Sequence, residues 1–277
     1  FCKGKEFFSK EYWGYALRIG IPIVPHYLSG IILNQGDRIM IDKMVGKTEV
    51  ALYGLAYSIG MQVQLFISGM NSALTPWMYS KIKKGDIRSM RKVLQLLSVV
   101  VVGIAVALML ISPELVLIFG SPKYREAVYV IPPVAASVFF IFIYNILSMP
   151  QFYYEKTQFL MAASMAAAGA NVVLNFIFIR LFGYIAAGYT TLACYMLYSV
   201  GHYIVSKRIL VNEGIQENLM SPGFLVACSV FLIGASIICN LIFPYRILRY
   251  AILLASAGLV FWKKELLLKT MADIRKK

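Results

Sequence analysis

The sequence predicts an all-α integral membrane protein with about eight transmembrane helices: one six-helix lobe and two added C-terminal helices. Three observations predict it. Of the 277 residues, 60% are hydrophobic and only 14% charged, where soluble domains carry about 25% charge. The mean hydropathy is +0.71. Apolar stretches long enough for a bilayer, which needs about 20 residues, recur along the chain, and the 27 Lys and Arg fall almost wholly between them.

Residues 1–14 mix charge with aromatics. They read as an interfacial, cytoplasmic lead-in, because no basic n-region precedes a small-residue cleavage site. The absence of an initiator Met leads to the expectation that the chain is the C-terminal part of a longer protein. The expected spans are 15–41, 50–79, 92–119, 127–152, 158–181 and 183–206, forming a lobe over 15–210. A cytoplasmic link, 211–221, leads to two further spans, 222–243 and 245–262, and a basic tail, 263–277. With eight crossings both ends lie on one side. That side holds 19 Lys and Arg and the other eight, so both ends are expected in the cytoplasm of a bacterial plasma membrane. The net charge of +14 is therefore topological and implies no nucleic acid.

Cys2, Cys194, Cys228 and Cys239 lack metal-ligand spacing. Cys228 and Cys239 lie about 16 Å apart along one helix, too far to bridge. Neither a metal site nor a catalytic constellation is expected. The short external links, about 120–126 at the longest, argue against a membrane polymerase or ligase.

Polar side chains inside spans face the bundle or a wet cavity, because lipid offers them no partner. Span two carries Tyr53, Tyr57, Gly60, Gln64, Ser68, Asn71 and Thr75 at steps of three and four. That spacing traces one helix face and predicts a water-accessible wall. Span four repeats the pattern with Tyr144, Ser148, Gln151 and Glu155, and Asn145 joins it. Span five offers Ser164, Asn171 and Asn175. Span six offers Gly188, Thr191, Tyr195, Tyr198 and His202. The small residues around Ala163–Ala170 and in 183–191 suit close helix packing. Pro22 and Pro25 predict a bend beside His26 that frees backbone carbonyls, making His26 a candidate proton or substrate contact.

The stretch NQGDRIMIDK (34–43) places Asp37, Arg38 and Asp42 at the outer end of span one. Arg38 and Asp42 have the spacing of an ion pair. Asp37 lies on the face of Asn34 and needs another partner or water. Arg38 could attract an anionic substrate group, with Asp37 or Asp42 as counter-charge or cation site.

PHYLSGIILNQGDRIMIDKMVG (25–46), VALYGLAYSIG (50–60), NSALTPWMYSKI (71–82) and GYIAAGYTTLACY (183–195) together resemble the bacterial polysaccharide repeat-unit flippases, which move lipid-linked units in the biosynthesis of O-antigen, capsule, lipopolysaccharide and exopolysaccharide. That family lies within the multidrug/oligosaccharidyl-lipid/polysaccharide exporter superfamily. The likeness extends over roughly 12–210. It implies the second of two six-helix lobes around a cavity, and export of undecaprenyl-diphosphate-linked oligosaccharide by alternating access. It also implies no covalent chemistry, no cofactor beyond coupling to H+ or Na+, and contact with the bilayer and with polymerase and chain-length machinery. The residues expected at the cavity are Arg38, Asp37, Asp42, His26, Asn34, Tyr57, Gln64, Ser68, Asn71, Asn145, Asn171 and Asn175. A small-molecule antiporter of the same superfamily is the alternative. It would need a coupling acid deep in a lobe, whereas Asp37 and Asp42 are expected near a rim.

Overall fold

The structure, a computed structural model, describes residues 8–262. The first seven residues, with Cys2, and the basic tail lie outside the described residues. Everything described is helix or connecting turn: α1 (Lys10–Met44), α2 (Lys47–Gly60), α3 (Val63–Lys83), α4 (Ile87–Phe119), a 3-10 helix (Pro122–Val130), α5 (Ile131–Tyr153), α6 (Thr157–Phe182), α7 (Ala186–Asn212), α8 (Pro222–Ile242) and α9 (Arg246–Trp262). The chain is an all-α membrane protein.

Five of these elements are long and apolar enough to cross a membrane: α1, α4, the stretch 122–153, α6 and α8. The pair α2 and α3, bent by 41°, forms a sixth. Among the described residues, five or six of the eight expected spans thus meet this measure of length and apolarity. Helix α9 shows 17 residues, about 26 Å. Helix α7 is 27 residues long but too polar to qualify. Its polar residues are turned inward: Thr190, Thr191, Tyr195, Tyr198, His202 and Ser206 are all buried. In a bundle such a helix is satisfied by neighbours rather than by its own hydropathy.

Helix α5 sits at the centre. Its residues from Ile131 to Ile143 are all buried, which suits a helix that is apolar all round. Around it, α7 packs on α5, α6 on α7, α1 on α6, and α4 on the other flank of α5. The pair α2–α3 closes the space between α1, α4 and α5. Outside this lobe, α8 rests on α4 and α5, and α9 on α4. Polar bonds fix the outer pair. Asn240 donates to the Tyr189 hydroxyl at 2.8 Å. Buried Arg249 forks onto Glu114 with both bonds at 2.7 Å and also donates to the Leu110 carbonyl at 2.6 Å.

Small residues set the close approaches. A Cβ on Gly188 would meet Pro133 at 3.1 Å, where α7 crosses the start of α5. Pro132 and Pro133 occupy the first turn of α5, where no backbone donor is lost. Gly183 ends α6 with φ of 74°, a conformation that suits glycine.

One expectation about helix shape is corrected. Span two is not one helix. It breaks at Met61–Gln62, so the residues before and after the break do not share one continuous face. Span one is one helix despite Pro22 and Pro25. Side chains add bonds to backbone carbonyls in this region: the Thr157 hydroxyl donates to the Ile19 carbonyl at 3.3 Å and the Ser29 hydroxyl to the Pro25 carbonyl at 2.7 Å.

The bend in span two is seated on Gly60, where a Cβ would come within 2.7 Å of the Val134 side chain. Gly60→Ala is expected to lower stability by about 1–3 kcal/mol through overpacking. Gly103→Ala, inside α4 and meeting nothing within 4 Å, should instead raise stability by about 0.5–1 kcal/mol. Thermal unfolding of the detergent-solubilised variants checks the contrast.

Candidate functional site

A pocket of about 480 Å³ opens between α1, α5 and α7. Helix α1 contributes His26, Tyr27, Asn34 and Gln35, which span about 14 Å along its axis. Helix α5 contributes Tyr144, Asn145 and Ser148, and α7 contributes Tyr195 and Tyr198. No Asp, Glu, Lys or Arg lines it. Its chemistry is amide, hydroxyl and aromatic ring, with one imidazole. The His26 Nδ1 lies 3.1 Å from the Tyr198 hydroxyl. Tyr144 packs on Tyr198 with ring centres 4.5 Å apart.

One turn beyond the pocket on α1 lies Asp37, with no exposed surface. Each of three other helices sends it a donor. The Tyr53 hydroxyl of α2 donates at 2.5 Å, the Asn175 amide of α6 at 2.6 Å and the Thr191 hydroxyl of α7 at 2.7 Å. Asn175 also donates to the Asn171 side-chain oxygen at 3.2 Å and accepts from the Thr190 hydroxyl. Among the described residues no Lys, Arg or His nitrogen lies within 4 Å of Asp37; the ion pairs are Lys81–Asp86 and Arg249–Glu114. The partner that Asp37 lacked in the sequence is thus a ring of neutral donors. Asp37 does lie about 10 Å from the end of α1, yet it is shielded from water rather than placed on a rim.

Asn34 joins the two sites. Its side-chain oxygen lines the pocket and accepts from the Tyr57 hydroxyl at 2.9 Å. The Tyr57 ring lies 5.7 Å from that of Tyr53, whose hydroxyl holds Asp37. Two tyrosines one turn apart on α2 therefore connect a pocket residue to the buried acid.

Arg38 does not pair with Asp42, and that expectation is corrected. Helical side chains lean toward the N-terminus, so Arg38 reaches back to Gln35, donating to its side-chain oxygen at 2.8 Å. Its guanidinium lies 5.2 Å from the centre of the Tyr57 ring, and its Nε is buried without a partner. Arg38 thus borders the pocket through Gln35, which lines it. Asp42 is exposed and apart from both sites. Gln64, Ser68 and Asn71 lie on α3, away from this pocket. Ser68 is exposed and its hydroxyl bonds to the Gln64 carbonyl at 3.0 Å. The 41° bend separates them from Tyr53 and Tyr57.

The expected residues that the structure brings together are His26, Asn34 and Asn145 in the pocket, Tyr57 and Arg38 beside it, and Asn171 and Asn175 around Asp37. Tyr53, Thr190 and Thr191, which complete the acid's surroundings, and Tyr144, Tyr195 and Tyr198, which wall the pocket, were not among them. All but Thr190 lie in the three- and four-residue spacing of their spans, so the signal was present.

If Asp37 organises four helices, its replacement costs more than the loss of any one donor. Asp37→Leu leaves three buried donors unpaired and should destabilise by about 3–5 kcal/mol. Tyr53→Phe and Thr191→Val should each cost about 1–3 kcal/mol. Equilibrium unfolding in detergent measures this order.

The MatE family model matches residues 22–177, more than half of the chain, from within α1 to within α6. Two curated relatives come from Haemophilus influenzae (strain ATCC 51907 / DSM 11121 / KW20 / Rd). "Lsg locus putative protein 1" is 29% identical over 159 residues, covering 54% of this chain and 38% of that protein. "Uncharacterized membrane protein" is 30% identical over 165 residues, covering 56% and 39%. The matched part thus spans about two-fifths of the length of these relatives. No solved structure gives a significant match. The family match runs through α1, α2, α5 and α6, which carry Asn34, Asp37, Tyr53, Tyr57, Asn145 and Asn175, and on that basis the chain belongs to the MatE family of membrane transporters.

Proposed function

We propose that the chain is part of an exporter that carries lipid-diphosphate-linked oligosaccharide units across the bacterial plasma membrane by alternating access. One observation carries this reading: the pocket is lined by tyrosine rings and by Asn and Gln amides, with no carboxylate. Sugar hydroxyls are met by amides, and the apolar faces of sugar rings by aromatic rings. Arg38, held against Tyr57 beside the pocket, is the guanidinium nearest such a cargo's diphosphate, for which its planar fork is suited. The prenyl tail stays in lipid. No residue performs covalent chemistry.

In this reading Asp37 is the site of the coupling ion, H+ or Na+. A ligand competing for Asn34 would release the Tyr57 hydroxyl, and α2, hinged at Met61–Gln62, would pass that change to the Tyr53–Asp37 bond. The excess of Lys and Arg on the side of the α3–α4 turn supports placing that side in the cytoplasm.

A second reading, a small-molecule antiporter, is favoured by the complete burial of Asp37, since such transport needs a coupling acid inside a lobe. The two readings differ in cargo. Deletion of the gene should leave lipid-linked repeat units on the inner leaflet and remove the surface glycan. Normal surface glycan together with raised drug sensitivity would select the antiporter.

Arg38→Ala, with unchanged protein in the membrane, should lower export at least tenfold, about 1.4 kcal/mol. Arg38→Lys should not restore it, because a lysine keeps the charge but loses the fork. Export is read as lipid-linked units protected from, or open to, a glycan-modifying enzyme on the outer face of sealed vesicles. Undiminished export by Arg38→Ala would leave Arg38 as a brace for Gln35.

A further inference from the structure

A second cavity, of about 610 Å³, lies where the end of α4, the 3-10 helix and the α8–α9 turn meet, on the side opposite the α3–α4 turn. It shares no residue with the tyrosine-lined pocket. Its depth follows from α8. That helix has 21 residues, a rise of about 32 Å, which matches a hydrocarbon core of about 30 Å. Phe243 and Pro244 follow α8 directly and line the cavity. They therefore sit at the boundary between acyl chains and headgroups.

The floor of the cavity is apolar and its mouth is charged. Val116 of α4, Val128 of the 3-10 helix and Phe243 are buried, and the Tyr129 ring packs on Phe243 with centres 5.8 Å apart. Leu117 and Tyr129 also line the cavity but are 51% and 40% exposed. Ile118 and Phe119, next to Leu117, are more exposed still. On a membrane-spanning helix such as α4, that surface meets acyl chains. Arg125 and Glu126 are consecutive on the 3-10 helix, both are exposed, and both line the cavity. Neighbours on a 3-10 helix point about 120° apart, so the mouth opens between them. Among the described residues neither is in an ion pair.

We infer that this cavity binds one phospholipid whose headgroup ends in a primary ammonium, of the phosphatidylethanolamine type. The Arg125 guanidinium meets the phosphate, for which its planar fork is suited. The Glu126 carboxylate accepts from the ammonium, which carries three N–H donors. An acyl chain lies along Leu117, Ile118 and Phe119. A cation and an anion set side by side match a zwitterion, whose phosphate and ammonium are joined by a short ethylene link. An anionic glycerol headgroup would satisfy Arg125 but bring no positive charge to Glu126. A choline headgroup has the same two charges but no N–H, so it forfeits the bond to Glu126. The bound lipid touches α4, the 3-10 helix and the α8–α9 turn together, and so helps seat the added helix pair on the lobe. This inference does not depend on the identity of the cargo.

The test uses the whole protein, stripped of lipid in detergent and titrated with phospholipids of identical chains, with bound lipid counted by native mass spectrometry. The first phosphatidylethanolamine should bind about tenfold more tightly than phosphatidylcholine, as one charge-assisted hydrogen bond allows, and more tightly than phosphatidylglycerol. In the N-methylated series, affinity should fall most at the last methyl, which removes the final N–H. Glu126→Ala should bring phosphatidylethanolamine to the level of phosphatidylcholine, and Arg125→Gln should weaken both about tenfold. Equal affinity for the two lipids in the unaltered protein overturns the inference and makes the cavity a crevice for any chain. Tightest binding of phosphatidylglycerol overturns it in favour of a basic rim. A preference for phosphatidylethanolamine that survives Glu126→Ala also overturns it. The comparison among lipids needs only the unaltered protein, so the result stands if a variant fails to fold.

Discussion

A carboxyl group with no accessible surface inside a lipid-bounded bundle is the constraint on which this lobe depends. An unpaired charge there would cost several kcal/mol, and among the described residues no cation pairs with it within 4 Å. The sequence answers with donors from three directions: Tyr53, Asn175 and Thr191. Those side chains reach one point only if α2, α6 and α7 all converge on the C-terminal half of α1. The close approach of α6 at Gly36, where a Cβ would lie 3.8 Å from the Asn171 oxygen, is part of the same requirement. The arrangement of four helices and the satisfaction of one side chain are therefore the same problem.

That convergence also explains why polarity is distributed so unevenly. The first half of α5, residues 131–143, is apolar because protein surrounds it on every side. Helix α7 is polar because it faces Asp37 at one end, the pocket in the middle and, through His202, Gln151 of α5 near the other. Its buried hydroxyls and rings form a column along one face, while Leu197, Val200 and Ile204 remain exposed on another. A helix of this kind is stable in a membrane only when neighbours cover its polar face, so α7 depends on α5 and α6 more than they depend on it.

The apolar runs made the helices legible almost to their ends, since bilayer thickness imposes a length that composition reports directly. The charged links made the turns legible. Which polar residues meet was not, because spacing along one helix reveals a face but not what lies opposite. Asp37 could be placed at a depth, and its need for a partner stated, yet its burial comes from α2, α6 and α7, which are distant in sequence. The break in span two was hidden for a related reason. Periodicity of three and four continues through Gly60 and Gln64 whether or not the helix does, and Gly60 gave the one local hint through its seat on Val134. Arg38 and Asp42 show the converse: their spacing permitted a pair, but side-chain direction and the nearby Tyr57 ring gave the guanidinium another place to lie.

The position of Arg38 bears most directly on transport. A guanidinium spread over a phenol ring, with one hydrogen bond to Gln35 and a buried Nε left over, is under-satisfied. It retains donors for an anion without being drawn into an ion pair that an incoming ligand would first have to break. Tyr57 is the shared element. Its ring supports Arg38, its hydroxyl holds Asn34 in the pocket wall, and its neighbour Tyr53 holds the buried acid. A ligand that engaged Arg38 and Asn34 together would take both contacts from Tyr57 at once. The break after Gly60 sets α2 apart from α3 at a 41° bend. In the proposed transport cycle, the physical link between an occupied pocket and Asp37 is one short helix carrying two tyrosines, rather than a path dispersed through the lobe.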